Sequence, residues 1–302
     1  MNDKLNELLD GTKVKKILER HLNEALDLNE ILDIKIIPIK TYLDETSFSF
    51  IGIYELTAQD TNKKMVVKKV FASAHSTPNK RKDFIIGNFL ADKSSKYDPK
   101  FLKIPESYAF IESHGLYLRE YIDGETLDKF ILKNHNMSAF VTEIISNSLL
   151  EFQKIKISSD FTYEDRANFT DLNKNITILE KQAHSSFPAV RNEFKEIEGL
   201  FHSIKKQEER SPKVLSHGDF NLFNLVITSD NEIIFIDYDD VGFRNYLWDV
   251  ARLTCSLKSD DFLDAFFKAK NGHINESDQR LFDIYKKYFG LLDRTHVLAW
   301  GF

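Results

Sequence analysis

The sequence predicts an α+β fold with a small, antiparallel β-sheet N-lobe and a larger, mainly helical C-lobe. Strand-like segments are concentrated between residues 34 and 121, helical periodicity dominates after residue 123, and one hairpin-like stretch interrupts the helical part. Strands followed by helices are typical of α+β folds and not of doubly wound sheets. We therefore predict an N-lobe over residues 1–122, a C-lobe over 123–302 and a small-ligand cleft between them.

The N-lobe is expected to begin with a helix, because Val14, Leu18 and Leu22 recur at helical spacing within the first thirty or so residues. The segments after it are β-branched or alternate between apolar and polar residues, as in strands. The predicted strands cover residues 34–39, 47–56, 65–71, 108–111 and 115–121, and a helix is predicted over about 81–92.

The C-lobe begins after the Asp123-Gly124 turn and carries mostly helical spacing. The predicted helical regions cover residues 139–155, 191–206 and 245–292. Two short apolar strands, 225–227 and 233–236, flank Ser229-Asp230-Asn231 and predict a hairpin.

Composition excludes several function classes. Of 302 residues, 42% are hydrophobic and 29% are charged, as in an ordinary globular protein. The formal net charge of −6 argues against a nucleic-acid-binding face. The single cysteine, Cys255, precludes an intrachain disulfide and indicates a reducing compartment, so we expect a cytoplasmic protein. We expect no membrane partner and no signal peptide, because the sequence shows neither pattern.

The strongest functional signal lies in the predicted hairpin, where an acid and an amide five residues apart precede one strand and a second acid ends the next. The two segments read Ser216-His217-Gly218-Asp219-Phe220-Asn221-Leu222-Phe223-Asn224 and Ile236-Asp237-Tyr238. Phosphoryl transfer needs such a set, because Mg²⁺ prefers oxygen ligands and an acceptor hydroxyl needs a carboxylate to orient and deprotonate it. The alternative is a hairpin whose Asp and Asn residues only favour turns.

These segments resemble the catalytic loop and metal-binding acid of the aminoglycoside phosphotransferase and choline kinase family, which is related to protein kinases. The resemblance implies a bilobal, protein kinase-like fold with ATP and Mg²⁺ as cofactors. It implies Asp219 as the catalytic base and Asn224 and Asp237 as metal ligands. It also implies structural support from His217 and from Asp249, although Asp249 has the alternative of an ordinary acid at a helix start.

In the N-lobe, Met65-Val66-Val67-Lys68 resembles the kinase V-A-I-K strand, whose lysine neutralises ATP phosphates. Alternation places Lys68 and Lys69 on opposite faces, and we predict that Lys68 faces the nucleotide, with two solvated lysines on an edge strand as the alternative. Asp83 lies where the family carries the acid that pairs with this lysine, with a plain surface acid as the alternative. Residues 80–82, Lys-Arg-Lys, are expected to be solvated.

Two further segments concern the nucleotide. The sequence around Glu120-Tyr121-Ile122 resembles the family's lobe connector, which implies main-chain contacts of Glu120 and Ile122 with the adenine edge. The turn at 44–48, where the family covers the nucleotide, contains no glycine and two acids. Glycine usually permits close approach of backbone N–H groups to phosphate, so this turn departs from the family.

The predicted partner is a small molecule with a hydroxyl group, with aminoglycosides, choline or ethanolamine, and sugar derivatives as candidates. A cationic acceptor is suggested by acids near the metal acid and in the helical insert of about residues 161–206, namely Asp239, Asp240, Asp160, Glu164 and Asp165. Turn residues or structural acids are the alternative for Asp239 and Asp240. Two alternatives remain: a protein Ser/Thr kinase of the same superfamily, and a nucleotide-binding regulatory module without turnover.

Overall fold

The computed structural model describes residues 2–76, 79–97, 99–134, 139–156 and 191–300. The chain divides into two compact units. The first unit comprises Met1–Asp98, Lys103–Gly124 and Ile234–Asp239, and the second comprises Pro99–Leu102, Glu125–Ile233 and Asp240–Phe302. The division by packing thus falls after Gly124 and assigns a short later segment to the first unit, whereas the lobe boundary after residue 122 stays a prediction.

The first unit is built on a five-stranded antiparallel sheet in the order β1-β2-β3-β6-β5. Its strands are β1 (Leu28–Leu43), β2 (Phe48–Asp60), β3 (Met65–His75), β5 (Ser107–Ile111) and β6 (Leu116–Glu120). Its helices are α1 (Asn2–Leu8), α2 (Gly11–Leu22) and α3 (Asn79–Tyr97). The predicted antiparallel sheet is therefore confirmed.

The two faces of β3 pack against different helices. Val70, Ala72 and Ala74 belong to the same buried cluster as the apolar side chains of α1 and α2. The opposite face carries Ser73, whose partner across the strand pair, Tyr117 of β6, contacts the ring of Phe84 in α3 at 6.3 Å between centroids. Because neighbouring strand residues point to opposite faces, a shift of one residue in β3 exchanges these two environments.

The second unit is mainly helical, as predicted. Its helices are α4 (Leu127–Asn134), α5 (Ala139–Lys154), α6 (Arg191–Arg210), α7 (Leu247–Leu257), α8 (Asp261–Ala269) and α9 (Glu276–Trp300). Strands β8 (Lys213–Ser216) and β11 (Gly242–Asn245) pair antiparallel within it. The remaining short strands are β4 (Leu102–Lys103), β7 (Gly124–Thr126), β9 (Leu225–Thr228) and β10 (Ile233–Phe235). Among the described helices, none combines the length and the apolar character needed to cross a membrane.

Candidate functional site

The loop between β8 and β9, residues 216–224, brings the predicted acid and amide together within the second unit. The Asn224 side-chain amide donates to the Asp219 carboxylate (3.1 Å) and to the Asp219 main-chain oxygen (2.9 Å). Asn221 fixes the end of the loop, because its side-chain oxygen accepts from the N–H groups of Phe223 and Asn224. Since the amide nitrogen of Asn224 is turned to Asp219, its amide oxygen is the atom that remains for a cation.

Arg252 holds Asp219, and sequence reasoning missed it. Its Nε donates to Asp219 Oδ1 at 2.9 Å, while its NH1 donates to Asp293 Oδ1 at 2.8 Å. Burial opposes the ionisation of Asp219, but the adjacent guanidinium holds the pKa of that carboxyl below its ordinary value. Arg252 lies three residues after Asp249 in α7, so both are on one helix face, and this spacing was the signal available in the sequence.

Asp249 is completely buried beneath the 216–224 loop. Its carboxylate accepts hydrogen bonds from the Ser216 hydroxyl (2.9 Å) and from the N–H groups of His217 (2.8 Å) and Gly218 (2.9 Å). Burial raises the pKa of Asp249 in spite of these donors. The His217 ring is also buried and lies between the rings of Phe152 and Phe220, with centroid distances of 6.3 and 5.9 Å.

Gly218 is required by the backbone geometry of the loop. Its φ of +89° lies in a region that side-chain-bearing residues rarely adopt. A Cβ atom at this position would lie 2.1 Å from the main-chain oxygen of Asp240. The indole N–H of Trp248 donates to the Gly218 oxygen at 2.9 Å. The backbone immediately before Asp219 is therefore held tightly on both sides.

Within the first unit, three carboxylates gather around one lysine. Oxygens of Asp83, Asp237 and Asp239 lie within 4.8 Å of one another. Lys80 Nζ lies 2.7 Å from Asp83 Oδ2, 3.2 Å from Asp239 Oδ2 and 3.6 Å from Asp237 Oδ1. Asp83 is only 3% exposed, and its Oδ1 has no hydrogen-bond partner among the described residues. Burial raises the pKa of Asp83, although Lys80 opposes this effect. We call these four residues the Lys80 cluster.

The backbone of Asp237 has a φ of +66°, in the left-handed region. This conformation is uncommon for a residue other than glycine and costs roughly 1 kcal/mol or more. The side chain is nonetheless 47% exposed, so it is accessible to a ligand. Two carboxylates of the Lys80 cluster follow β10 directly, and oxygen atoms of this kind are the ligands that Mg²⁺ prefers.

Lys68 is not brought to Asp83. Lys68 is exposed and lies on the same face of β3 as Val70, whose cluster contains the α1 and α2 side chains. Asp83 pairs with Lys80 instead. The expected solvation of residues 80–82 is also wrong for Lys80, whose side chain is only 20% exposed. The cause is tertiary: α3 packs on the β3 face that Lys68 does not occupy.

In the connector segment, both main-chain groups of Glu120 already have hydrogen-bond partners. Its N–H donates to the Glu106 oxygen at 2.8 Å, and its own oxygen accepts from Arg119 NH1 at 3.0 Å. The buried Arg119 guanidinium also stacks over the Phe71 ring at 4.0 Å from its centroid. Ile122 is half-buried in the segment after β6. Sequence reasoning overlooked Arg119.

The glycine-free turn between β1 and β2 is organised by its own carboxylate. Asp44 accepts hydrogen bonds from the N–H groups of Thr46 (2.7 Å) and Ser47 (2.6 Å) and from both of their hydroxyls. These hydrogen bonds and that from Tyr42 hold the pKa of Asp44 well below its ordinary value. The N–H groups that a glycine-rich turn presents to phosphate are therefore bound to an internal anion here.

The acids suggested to bind a cationic acceptor lie in different parts of the chain. Asp239 belongs to the Lys80 cluster, and the main-chain oxygen of Asp240 accepts from Arg244 at 2.7 Å. Asp160, Glu164 and Asp165, with the predicted insert up to residue 190, lie outside the described residues.

Comparison with known proteins places the chain in a family. The model of the phosphotransferase enzyme family matches residues 54–280. No curated protein matches the chain in sequence. Among solved structures, a spectinomycin phosphotransferase in complex with ADP and spectinomycin superposes with a TM-score of 0.62 at 13% identity, covering 97% of this chain and 87% of that chain.

Two kinases are also similar. A choline/ethanolamine kinase family protein from Mesorhizobium loti gives a TM-score of 0.56 at 16% identity, covering 88% of this chain and 78% of that chain. A choline kinase from Streptococcus pneumoniae gives 0.53 at 14% identity, covering 95% and 97%. At such identities the likeness establishes a kinase-like fold, and the family match extends over more than half of the sequence. This chain is a member of the phosphotransferase enzyme family.

Proposed function

We propose that this protein transfers the γ-phosphoryl group of ATP to a hydroxyl group of a small molecule. One observation carries the proposal: in a member of the phosphotransferase enzyme family, the 216–224 loop holds the Asp219 carboxylate against the Asn224 amide at 3.1 Å. A carboxylate beside a metal-binding amide is the arrangement that phosphoryl transfer to an alcohol requires.

Asp219 is the proposed catalytic base. Its side chain is 41% exposed, which leaves it accessible to an acceptor hydroxyl. Arg252 and Asn224 occupy opposite oxygens of the carboxylate, Oδ1 and Oδ2, and so fix its plane. Because Arg252 lowers the pKa of Asp219, the carboxylate is ionised at neutral pH and accepts the hydroxyl hydrogen bond as phosphoryl transfer begins. Asp249 and His217 support the loop from below and carry no chemical step.

The residues present fit a magnesium-dependent reaction. The Asn224 amide oxygen and the Asp237 carboxylate are the proposed ligands, and both are hard oxygen donors. When bound, Mg²⁺ offsets the negative charge on the transferring phosphoryl group. Asp237 is accessible, and its left-handed backbone sets the direction of its side chain. Glu120 and Ile122 remain proposed contacts of the nucleotide base, with the Glu120 oxygen shared with Arg119.

A hydroxyl-bearing small molecule is the proposed acceptor, with amino alcohols and amino sugars as the first candidates. Support comes from the family and from the similar solved structures of a spectinomycin phosphotransferase with bound spectinomycin and of a choline/ethanolamine kinase family protein. We propose a cytoplasmic location, where ATP is available and where the single free thiol of Cys255 stays reduced.

The proposal is tested by incubating the purified protein with Mg-ATP and a panel of amino alcohols, aminoglycosides, sugars and a protein substrate. We expect ADP release that depends on one small-molecule acceptor, and a phosphorylated product identified by mass spectrometry. Phosphorylation of the protein substrate would instead favour the protein kinase. ATP binding without turnover across the panel would favour the alternative of a regulatory module. The observation that supports this alternative is the turn at Asp44, whose N–H groups are hydrogen-bonded to the Asp44 carboxylate.

The metal assignment has a matched pair of variants. Asp237→Asn is expected to raise the Mg²⁺ concentration needed for half-maximal turnover by about tenfold or more, because the carboxylate charge is lost. Asp230→Asn changes an exposed acid in the turn between β9 and β10 and should leave the magnesium titration unchanged. Identical magnesium titrations for both variants would contradict the role of Asp237.

A further inference from the structure

We propose that Lys80, in the first turn of α3, is the cation that binds the phosphates of the nucleotide, in place of a lysine from strand β3. The inference rests on the proposed function and adds a binding residue to it. Lys80 Nζ lies 3.6 Å from the proposed metal ligand Asp237, and it contacts Asp83 at 2.7 Å within the same unit.

Strand β3 does not place an ammonium group in the Lys80 cluster. The residues of β3 that face α3 near Tyr117 are Phe71 and Ser73. Ser73 is 6% exposed, and Phe71 carries the Arg119 guanidinium on its ring. Lys69, on this face but nearer the strand start, has its ammonium 5.3 Å from the centroid of the Tyr121 ring. The ammonium beside the proposed metal acid therefore comes from the helix.

The charge pattern at the start of α3 is the reverse of what helix stability favours. Its first turn carries Lys80, Arg81 and Lys82 and no acidic residue, whereas the positive end of the helix dipole favours acids. Asp239 compensates by receiving Lys80 on its carboxylate and Lys82 on its main-chain oxygen. The positive charge of this helix start is suited to binding a phosphate, and the proposed metal ligand Asp237 lies beside it.

The turn between β1 and β2 cannot serve this purpose in the conformation observed. Asp44 occupies the N–H groups of Thr46 and Ser47, and its charge repels a phosphate. Phosphate neutralisation must then come from side-chain cations and the metal ion. Among the side chains described around Asp237, Lys80 is the cation at ion-pair distance.

The Lys80 cluster is also incomplete in a way that points to a ligand. Three carboxyl groups face one ammonium group, that of Lys80. The buried Oδ1 of Asp83 lacks a hydrogen-bond partner among the described residues, which is costly for a polar atom. A metal-nucleotide complex supplies both a cation for the carboxylates and an anion for Lys80.

The test separates phosphate binding from simple neutralisation of Asp83. Lys80→Met alone would leave the Asp83 carboxylate buried without a cation, so it is combined with Asp83→Asn to remove both charges. The test measures by calorimetry the affinity of the wild-type protein and of this double variant for Mg-ATP and for adenosine. The control is Arg81→Met, which removes the neighbouring, 59% exposed cation.

We expect the double variant to bind Mg-ATP about tenfold or more weakly, because the phosphates are the part of the nucleotide that Lys80 is proposed to contact. Adenosine has no phosphate, so its affinity should change by less than about twofold. Arg81→Met should retain wild-type affinity for both. Equal Mg-ATP affinity in the double variant and the wild type overturns the role of Lys80 and leaves the proposed function standing. A wild-type protein that binds no Mg-ATP overturns both.

A second measurement needs no variant. Reductive methylation of the wild-type protein, followed by peptide mass spectrometry, reports whether Mg-ATP protects the Lys80 amine more than adenosine does. Protection by Mg-ATP alone supports the proposal, and equal labelling in both conditions contradicts it. If Mg-ATP protects Lys68 instead, the phosphate-binding cation is the strand lysine and Lys80 only neutralises the acids around it.

Discussion

The 216–224 loop of the second unit and the first turn of α3 in the first unit differ in how far their sequences determine their contacts. In the loop, Asp219 and Asn224 were predicted together and are hydrogen-bonded at 3.1 Å. At α3, the predicted partner of Asp83 was Lys68, and the observed partner is Lys80. Residues five apart in one turn meet through local geometry, whereas a strand and a helix meet through the packing of a whole sheet face.

The largest effect is expected in the 216–224 loop, when the carboxylate of Asp219 is removed. Asp219→Asn keeps the shape but removes the base, so we expect turnover to fall by about 10²-fold or more with ATP affinity largely intact. Steady-state kinetics and nucleotide titration measure the two effects. Asp293→Asn, which changes the other carboxylate bound to Arg252, is the control and should cost much less. Near-normal turnover in Asp219→Asn would remove the base assignment.

A second prediction concerns the support beneath the loop. Asp249→Asn places an NH₂ group or a weaker acceptor opposite three donors, and we expect a loss of about 2–3 kcal/mol in the free energy of unfolding. Chemical denaturation provides the measurement. Asp261→Asn, at the exposed start of α8, serves as the comparison and should change stability by less than about 0.5 kcal/mol. Equal effects of the two substitutions would show that Asp249 does not brace the loop.

A third prediction tests Arg252, whose contact with Asp219 was not predicted from the sequence. Arg252→Met removes the guanidinium that fixes one oxygen of Asp219, so we expect kcat to fall about tenfold while KM for ATP changes little. Arg252→Lys should recover part of the loss, because it restores the charge without the planar geometry of arginine. Arg280→Met, an exposed arginine of α9, is the control. If KM for ATP rises instead, Arg252 acts on the nucleotide and not on Asp219.

The smallest effect is expected at the turn between β1 and β2. Asp44→Ala frees the N–H groups of Thr46 and Ser47, yet we expect Mg-ATP affinity to change by less than about twofold, because the turn does not bind the phosphates. Calorimetry gives the comparison with the wild type. A marked gain in affinity would mean that the freed turn binds phosphate, and a marked loss would mean that Asp44 takes part in nucleotide binding.

Much of the fold was accessible from the sequence because the hydrophobic pattern has a clear period in most elements. Alternation predicted the strand within what became β2, and helical spacing predicted α5 and the core of α6. The strands extend beyond the predicted bounds, as in β1, which covers Leu28–Leu43 and not only 34–39. Extension occurs because β1 pairs with β2 along its length, and cross-strand hydrogen bonds also stabilise residues that lack a strand pattern.

Within the candidate site, the sequence indicated residues that act inside one short segment. Asp219 and Asn224 are the example, because the side chain of Asn224 reaches both the carboxylate and the main-chain oxygen of Asp219 five residues earlier. Arg252 and Lys80 escaped because each contacts its acids from a different element. Their partners Asp219 and Asp237 are 33 and 157 residues away along the chain, and a single sequence gives no distance across such separations.

The amino-acid sequence by itself determined the α+β class and the position of the loop that holds Asp219 and Asn224, because each depends on local periodicity or on the spacing of residues within one short segment. The tertiary structure decided which cation pairs with Asp83 and which guanidinium holds Asp219. Those choices depend on which face of β3 packs against α3 and which face of α7 lies against the loop. Side-chain direction reverses with every residue of a strand, so only the packed register specifies the pairing.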